Sequence, residues 1–297
     1  AGPFRRRFGD MVCRHLLLLV IMVGPAFSNG PADQADCAAH PSSSWGRKTR
    51  LRVTLVRHGE SMNNVHEAIS EEDYRAHRTA DPDLSPRGYL QAAALGRFVA
   101  DRDKSAHLGI HPLNELWVSP VRRTLLTMAP AAEALGMAPR VHLRLFEAGG
   151  IYDADANYTE FSALGGLTRN EMAAAHPNYV LPAAVTDKGW YTARSGAKET
   201  DDECRDRAKE VATALKDKAA LLEGDESILL VVHYDFICAL LDAFLQPGTT
   251  GHFARWKHYN TALTVLDVDV GGEVSFISQN AIPHLYDDAL LISGFKV

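Results

Sequence analysis

Blocks of apolar positions alternate with amphipathic segments along most of the chain. The strand-like blocks are short, apolar or alternating, and rich in β-branched residues. We predict strands at Leu51–Val56, Leu116–Val118, around Val141 and at Ser227–Val232, and a closing hairpin from Thr261–Asp267 and Glu273–Ile277 joined by Gly271-Gly272. The segment at Ser227–Val232 is the strongest strand of the set.

The helical segments lie between these strands. A Ser-Pro pair, which places an N-cap before proline at the first helical position, predicts helices over Ser85–Ala100 and Ser119–Leu135. Further helices are predicted at about Thr200–Leu222 and Phe236–Phe244. This alternation predicts a three-layer α/β/α fold with a mostly parallel central sheet. Ligands bind such sheets at the carboxyl ends of the strands.

The N-terminal segment has the composition of a targeting sequence. An apolar run at Leu16–Val23 is followed by Ala26-Phe27-Ser28, whose small residues suit signal peptidase. We therefore expect a signal peptide or leader at 1–28, a flexible linker at 29–49 and one folded domain at 50–297. A signal peptide predicts the secretory pathway or the extracellular space. If the leader is not a signal peptide, a cytoplasmic or organellar location follows.

Composition narrows the classes of partner. The chain has 297 residues, 46% of them hydrophobic, with a formal net charge of -6 and a pI near 6.1. These values argue against nucleic-acid binding, which depends on clustered Lys and Arg. The apolar run in the leader is shorter than the roughly 18 residues expected of a spanning helix, so we expect no stable membrane insertion. The oligomeric state is left open.

We expect neither a metal nor a cofactor. The cysteines beyond the leader form an odd set without paired spacing, and His252, His258 and His284 lack the regular spacing of zinc ligands. Neither a phosphate-cradling Gly-x4-Gly-Lys loop nor a Rossmann glycine pattern occurs. Any anion site must therefore be built from local side chains.

Polar residues with phosphate chemistry follow the two strongest strands. Arg57 and His58 follow the first strand, and His233 follows the strand at Ser227–Val232. Arginine is a planar, permanently charged donor for phosphate oxygens, and a neutral imidazole is a nucleophile for phosphorus. Arg123 lies in the first turn of a helix that starts just after a strand, so we expect it to face the same crevice. A structural histidine at either strand end is the alternative.

The ordered motifs resemble a known family. "LVRHGES..N", "LSPRGYLQA..LG", "VSPVRRTLLT", "LFE" and the strand-His-helix segment look like the phosphoglycerate mutase-like histidine phosphatases (branch 1), over most of 51–245. The resemblance implies that His58 is phosphorylated and that Arg57, Arg123 and His233 form the phosphate pocket, with Asn64 as a further donor. It also implies that Glu147 protonates the leaving alcohol, with Asp153, Asp155 and Glu160 as the alternatives for this role, and it places a substrate lid insertion at about 147–196.

The sequence is compatible with three functions. The resemblance favours a phosphatase that hydrolyses a small phosphate monoester through phosphohistidine. The alternatives are a phosphoglycerate mutase-type phosphotransferase and a non-catalytic phosphate-recognition protein. The sequence departs from the family at Tyr234, where glycine usually follows the second histidine. Tyrosine resists positive φ, so the turn there is ordinary or the pocket is reshaped.

Overall fold

The structure is a computed structural model that describes residues 49–155, 157–194, 197–245 and 255–295. The predicted leader at 1–28 and the linker up to residue 48 lie outside the described residues, so both stay predictions. Within the described ranges, none of the helices combines the length and the apolar character needed to cross a membrane.

Eight strands and eight α-helices make up the described chain. The strands are Arg50–Arg57 (β1), Glu115–Val118 (β2), Arg140–Val141 (β3), Tyr152–Ala154 (β4), Phe161–Ala163 (β5), Glu226–Val232 (β6), Leu263–Asp269 (β7) and Val274–Ala281 (β8). The helices are Met62–Ile69 (α1), Glu71–His77 (α2), Pro86–Ala100 (α3), Arg102–Ser105 (α4), Arg122–Leu135 (α5), Arg169–Ala175 (α6), Asp201–Ala220 (α7) and Tyr234–Leu245 (α8). Short 3₁₀ segments lie at Ala106–Leu108, Pro283–Leu285 and Ala289–Leu291.

The main sheet of the described chain has the strand order β3-β2-β6-β1-β7-β8. The first four of these strands are parallel, and β7 and β8 join them as an antiparallel hairpin. Side chains on β6 alternate between the two faces: Ile228 and Leu230 pack with α7 and α8, whereas Leu229 and Val231 pack on the α3 and α5 side. The predicted three-layer α/β/α fold with a mostly parallel sheet is confirmed.

Two helical details differ from the sequence-based predictions. The helix α5 begins at Arg122 with Val121 at its N-cap, so Ser119 and Pro120 precede it and are not its first residues. The helices α1 and α2 were not predicted, because neither buries a residue and they are only eight and seven residues long, too short for a clear apolar period. Their N-caps, Ser61 and Ser70, each accept a hydrogen bond from the backbone three residues on.

The region predicted as a lid insertion contains its own small elements. β4 and β5 form a two-stranded antiparallel sheet, and α6 follows. Trp190 and Tyr191 are buried at 8% and 9% exposure and contact the ring of Phe146. Much of this region therefore packs on the domain through aromatic side chains.

The turn after β1 is held by a close approach of two glycine backbones. A Cβ atom on Gly88 would lie 2.0 Å from the carbonyl oxygen of Glu60, and one on Gly59 would lie 2.8 Å from that of Gly88. The first turn of α3 thus packs directly on the segment that carries His58. Glycine is needed here for space and not for positive φ.

We expect Gly88→Ala to destabilise the domain by about 1–3 kcal/mol, because the added methyl group must displace backbone that has no room to move. The matched control is Gly224→Ala, where an added Cβ would meet nothing within 4 Å and the expected change is within about 0.5 kcal/mol. Urea unfolding monitored by tryptophan fluorescence gives both values. Equal midpoints for the two variants would contradict the close approach.

Candidate active site

The parallel pairing of β1 with β6 brings two histidines together. The register aligns Arg57 with Val232, so His58 and His233 are the next residues on adjacent strands. The backbone N–H of His58 donates to the carbonyl of Val232 at 2.9 Å, and the two imidazole centroids lie 5.3 Å apart. A group the size of a phosphoryl therefore reaches both rings.

The tautomer of His58 follows from its hydrogen bonds. Its Nδ1 lies 2.7 Å from the carbonyl oxygen of Gly59, which only accepts, so Nδ1 carries the proton. Nε2 is then the basic nitrogen, and it accepts a hydrogen bond from Nε of Arg123 at 3.1 Å. Burial holds the pKa of His58 well below its ordinary value, and the positive charges of Arg123 and Arg57 lower it further. The ring is neutral at physiological pH.

Arg57 is fixed by backbone carbonyls from distant parts of the chain. Its Nη1 donates to the carbonyls of His258 at 2.7 Å and Gly294 at 3.2 Å. Its Nε is buried without a hydrogen-bond partner among the described residues. Burial lowers the pKa of the guanidinium, while the carboxyl of Glu147 opposes this effect. The arginine is therefore held in place with a donor still available to a bound anion.

Arg123 is oriented by the first turns of α5. Thr127 links this helix to the turn after β1, since its hydroxyl accepts from the Gly59 N–H at 2.9 Å and donates to the Arg123 carbonyl at 2.6 Å. Burial lowers the pKa of Arg123, against the opposing charges of Glu147 and then Asp81. Thr127 and Asp81 were not predicted from the sequence, because their role appears only once α5 is placed against the turn.

His233 is completely buried. Its Nε2 lies 2.7 Å from the hydroxyl of Ser119, and its Nδ1 is buried with no partner in the part of the chain that the structure describes. Burial lowers the pKa of His233 well below its ordinary value, and the charge of Arg123 adds to the effect. A buried polar nitrogen without a partner is uncommon in proteins and points to a ligand atom at that position.

Glu147 lies next to the amino end of α8. Its Oε1 accepts hydrogen bonds from the backbone N–H groups of Ala148 at 2.9 Å and Phe236 at 3.1 Å. Burial raises the pKa of this carboxyl to about 7, the negative charge of Asp235 raises it further, and Arg123 opposes the shift. A carboxyl that titrates near neutrality can deliver and accept a proton in one catalytic cycle.

Asn64 also caps the helix α1, a role that was not predicted from the sequence. Its Oδ1 accepts from the Ser61 N–H at 3.1 Å and the Ser61 hydroxyl at 3.0 Å, which completes a capping box at the start of α1. The amide nitrogen is the part of the side chain that remains to donate toward the cavity. Tyr234, the departure from the family pattern, takes an ordinary negative φ, and its ring lies 5.1 Å from Cζ of Arg57.

These groups surround a cavity of about 470 Å³. Its wall includes Arg57, His58, Asn64, Arg123 and Glu147, together with Tyr234 and Asp235. His233 lies behind this wall, next to His58. The structure thus brings the six sequence-predicted site residues to one place, and their chemical roles stay predictions.

Further polar residues of the wall were not predicted. They come from α1, α2 and the segments that flank the cavity, and they include Asn63, Glu67, Tyr74, Arg78, Lys198 and Arg255. By contrast, Arg169 donates to backbone carbonyls within the insertion and Arg194 pairs with Glu210. Neither Arg169 nor Arg194 lines the cavity.

The chain belongs to the histidine phosphatase superfamily (branch 1), whose pattern matches residues 53–279, well over half of the sequence. Among curated proteins, the human 6-phosphofructo-2-kinase/fructose-2,6-bisphosphatase 4 is 28% identical over 200 residues, which cover 67% of this chain and 34% of the human protein. The Macaca fascicularis protein of the same name matches to the same extent. The chain thus spans about a third of the length of these relatives.

Solved structures show the same fold. Bacillus stearothermophilus YhfR superposes with a TM-score of 0.50 at 22% identity, covering 79% of this chain and 99% of YhfR. A putative α-ribazole-5'-P phosphatase from Escherichia coli has a TM-score of 0.50 at 16% identity, covering 78% of this chain and 96% of its own. At these identities the likeness concerns the fold.

The raised pKa of Glu147 predicts a pH dependence of stability. Because the folded-state pKa of about 7 exceeds the ordinary value of 4.5, the folded protein binds the proton more tightly. The contribution of Glu147 to the free energy of unfolding is largest below pH 4.5 and is lost as the pH rises through 7. Relative to Glu147→Gln, we expect the wild type to lose up to about 3 kcal/mol between about pH 5 and about pH 8, an upper bound because the carboxyl borders an open cavity.

The measurement is the difference in unfolding free energy between the wild type and Glu147→Gln at the two pH values. The depressed histidine pKa values are common to both proteins and cancel in this difference. A difference that does not change with pH would show that Glu147 titrates normally.

Proposed function

We propose that the protein is a phosphatase that hydrolyses a small phosphate monoester through a phosphohistidine intermediate on His58. The observation that carries the proposal is the fixed tautomer of His58. The Gly59 carbonyl holds the proton on Nδ1, so the lone pair of Nε2 is directed toward Arg123 beside the cavity. A neutral imidazole with its lone pair so placed is prepared for attack on phosphorus.

The first half of the reaction transfers the phosphoryl group to Nε2 of His58. The P–N bond forms as the bond from phosphorus to the ester oxygen breaks. The attacking Nε2 and the leaving ester oxygen lie on opposite sides of phosphorus, roughly in line. Arg57 and Arg123 bind the nonbridging oxygens. The Nδ1 of His233, which is buried without a partner among the described residues, donates to a phosphoryl oxygen in the tautomer in which Nε2 accepts from the Ser119 hydroxyl. These charges and dipoles stabilise the transition state without reorganisation.

Glu147 acts as the general acid in the first half of the reaction and as the general base in the second. In its protonated form, which the raised pKa favours, it donates to the departing alkoxide. As a carboxylate it then accepts a proton from the water that attacks phosphohistidine. The phosphate product leaves, and His58 returns to its neutral form with the proton still on Nδ1.

Hydrolysis and mutase chemistry differ only in whether water or a second substrate hydroxyl attacks phosphohistidine. We favour hydrolysis because the similar proteins named above are a bisphosphatase and a putative phosphatase, and because a signal peptide would place the enzyme outside the compartment of glycolysis. The departure from the family pattern at Tyr234 was the reason to consider a non-catalytic protein. That residue packs against Arg57 and keeps an ordinary backbone, so it gives no reason for lost turnover.

The walls of the cavity favour a substrate with a second anionic group. Arg78, Lys198 and Arg255 border the cavity in addition to the arginines at His58. Arg78 lies over the ring of Tyr152 at 4.0 Å, and Lys198 approaches the same ring at 4.9 Å. The Tyr152 ring holds Arg78 and Lys198 at the cavity wall, where a distal phosphate or carboxylate would meet them, whereas Arg255 is paired with Asp235.

Removal of the nucleophile should abolish turnover. We expect His58→Ala to reduce hydrolysis of p-nitrophenyl phosphate to the uncatalysed background, a loss of at least about a thousandfold. The matched control is His107→Ala, which removes an exposed imidazole whose Nδ1 contacts only the Lys104 backbone and should retain wild-type activity. Hydrolysis by both His58→Ala and the wild type, or by neither, would refute the catalytic claim.

A companion assay separates phosphatase from mutase. The purified protein is incubated with 3-phosphoglycerate and a bisphosphate primer, and the products are followed by NMR. Inorganic phosphate without isomerisation is the expected result. Interconversion of the two monophosphoglycerates would select the mutase alternative.

The two roles of Glu147 respond differently to its removal. We expect Glu147→Gln to lower steady-state turnover of an alkyl phosphate by about 10²–10⁴-fold, the usual contribution of a general acid–base residue. With p-nitrophenyl phosphate, whose leaving group needs no proton, a burst of one nitrophenolate per enzyme should remain, followed by slow hydrolysis. Rapid-quench kinetics measures both phases. A variant that loses the burst together with steady-state turnover would contradict the assignment.

A further inference from the structure

The helices α1 and α2 form a hairpin that supplies one wall of the active-site cavity. Asn63, Asn64, Glu67 and Tyr74 from this hairpin line the cavity. Neither helix fully buries a residue, although Val65 and Tyr74 are half-buried. Polar contacts between the helices therefore matter for holding the hairpin closed.

Three other polar residues of the hairpin, His66, Asp73 and His77, have the geometry of metal ligands. His66 on α1 places Nδ1 2.7 Å from Oδ2 of Asp73, and His77 places Nδ1 3.2 Å from Oδ1 of the same carboxylate. The two imidazole rings stack at 4.8 Å with an interplanar angle of 17°. One ligand atom from each residue lies within 4.8 Å of the other two, and no other such group occurs among the described residues.

We propose that His66, Asp73 and His77 bind a first-row divalent cation, of which Zn²⁺ is the representative. Zinc takes imidazole nitrogen and carboxylate oxygen at about 2.0–2.2 Å in a tetrahedral shell, so its ligand atoms lie roughly 3.3 Å apart. In the metal-free protein each Nδ1 faces an acceptor of Asp73, the carboxylate for His66 and both the carboxylate and the backbone carbonyl, at 3.0 Å, for His77. Metal binding therefore displaces a proton from each imidazole and turns the exposed His77 ring away from that carbonyl. Water supplies the fourth ligand. The two imidazoles favour zinc over Mg²⁺ or Ca²⁺, which prefer oxygen ligands.

The site joins the two helices of the hairpin. His66 comes from α1, whereas Asp73 and His77 lie four residues apart on one face of α2. A bound cation replaces the weak polar contacts with coordination bonds and fixes α1 against α2. The wall of the cavity is then held by the metal, although the metal takes no part in the chemistry at His58. This site departs from the sequence-based expectation of a protein without metal.

The test is a zinc titration of tag-free protein. Isothermal calorimetry with ZnCl₂, and metal content by mass spectrometry after gel filtration, should give one zinc per chain for the wild type. His77→Ala and Asp73→Asn remove one ligand each. We expect at least about a hundredfold weaker binding in each, since even the loss of an outer-shell partner costs about 10–100-fold. The control His107→Ala keeps wild-type binding.

A second readout is thermal unfolding. Zinc should raise the Tm of the wild type and of His107→Ala but not of His77→Ala, because only the native site gains from the ligand. The inactive His58→Ala should bind zinc as the wild type does, so this outcome is independent of the proposed phosphatase activity. Absence of stoichiometric zinc in the wild type, or equal binding by His77→Ala, would overturn the proposal. Loss of zinc in His58→Ala would do the same and would place the metal at the catalytic cavity.

Discussion

The candidate site depends on the parallel register between β1 and β6. Because Arg57 pairs with Val232, the next residue on each strand is a histidine, and both imidazoles emerge at the same edge of the sheet. The backbone hydrogen bond from His58 to Val232 fixes this alignment. A shift of one residue would turn one histidine to the other face of the sheet and separate the rings. The fold therefore positions His58 and His233 chiefly by fixing where β1 and β6 end.

The electrostatics of the site follow from burial around those strand ends. The buried Arg57, the half-buried Arg123 and the neutral His58 line the cavity, the neutral His233 lies behind His58, and Glu147 is a partly opposing charge. Buried cations are costly unless they meet an anion. In the proposed reaction, that anion binds beside the unpartnered Nε of Arg57 and Nδ1 of His233. The same burial keeps the imidazole of His58 neutral and raises the pKa of Glu147, so the proposed nucleophile and the proposed acid depend on one physical cause.

Features with a periodic or local chemical signal were predictable from the sequence. The buried strand at Ser227–Val232 and the proline-led helix at Pro86 are examples, and the fold class followed from their order. By contrast, α1 and α2 are short, bury no residue and were missed, although Ser61 and Ser70 carry capping signals. Ser119 and Thr127 act through distant partners, so no local pattern reveals them. His66, Asp73 and His77 come together only when the hairpin closes; the four-residue spacing of Asp73 and His77 was the one local sign.

The central claim is that a neutral His58 attacks phosphorus through Nε2. Its most direct measurement is the site and chemistry of the phosphoenzyme, trapped by rapid quench into base during turnover of a ³²P-labelled monoester and analysed by peptide mapping and phosphorus NMR. The account predicts acid-labile, base-stable label on His58, linked through Nε2. Label on Nδ1 of His58, label on another residue, or turnover without any phosphoenzyme would contradict it.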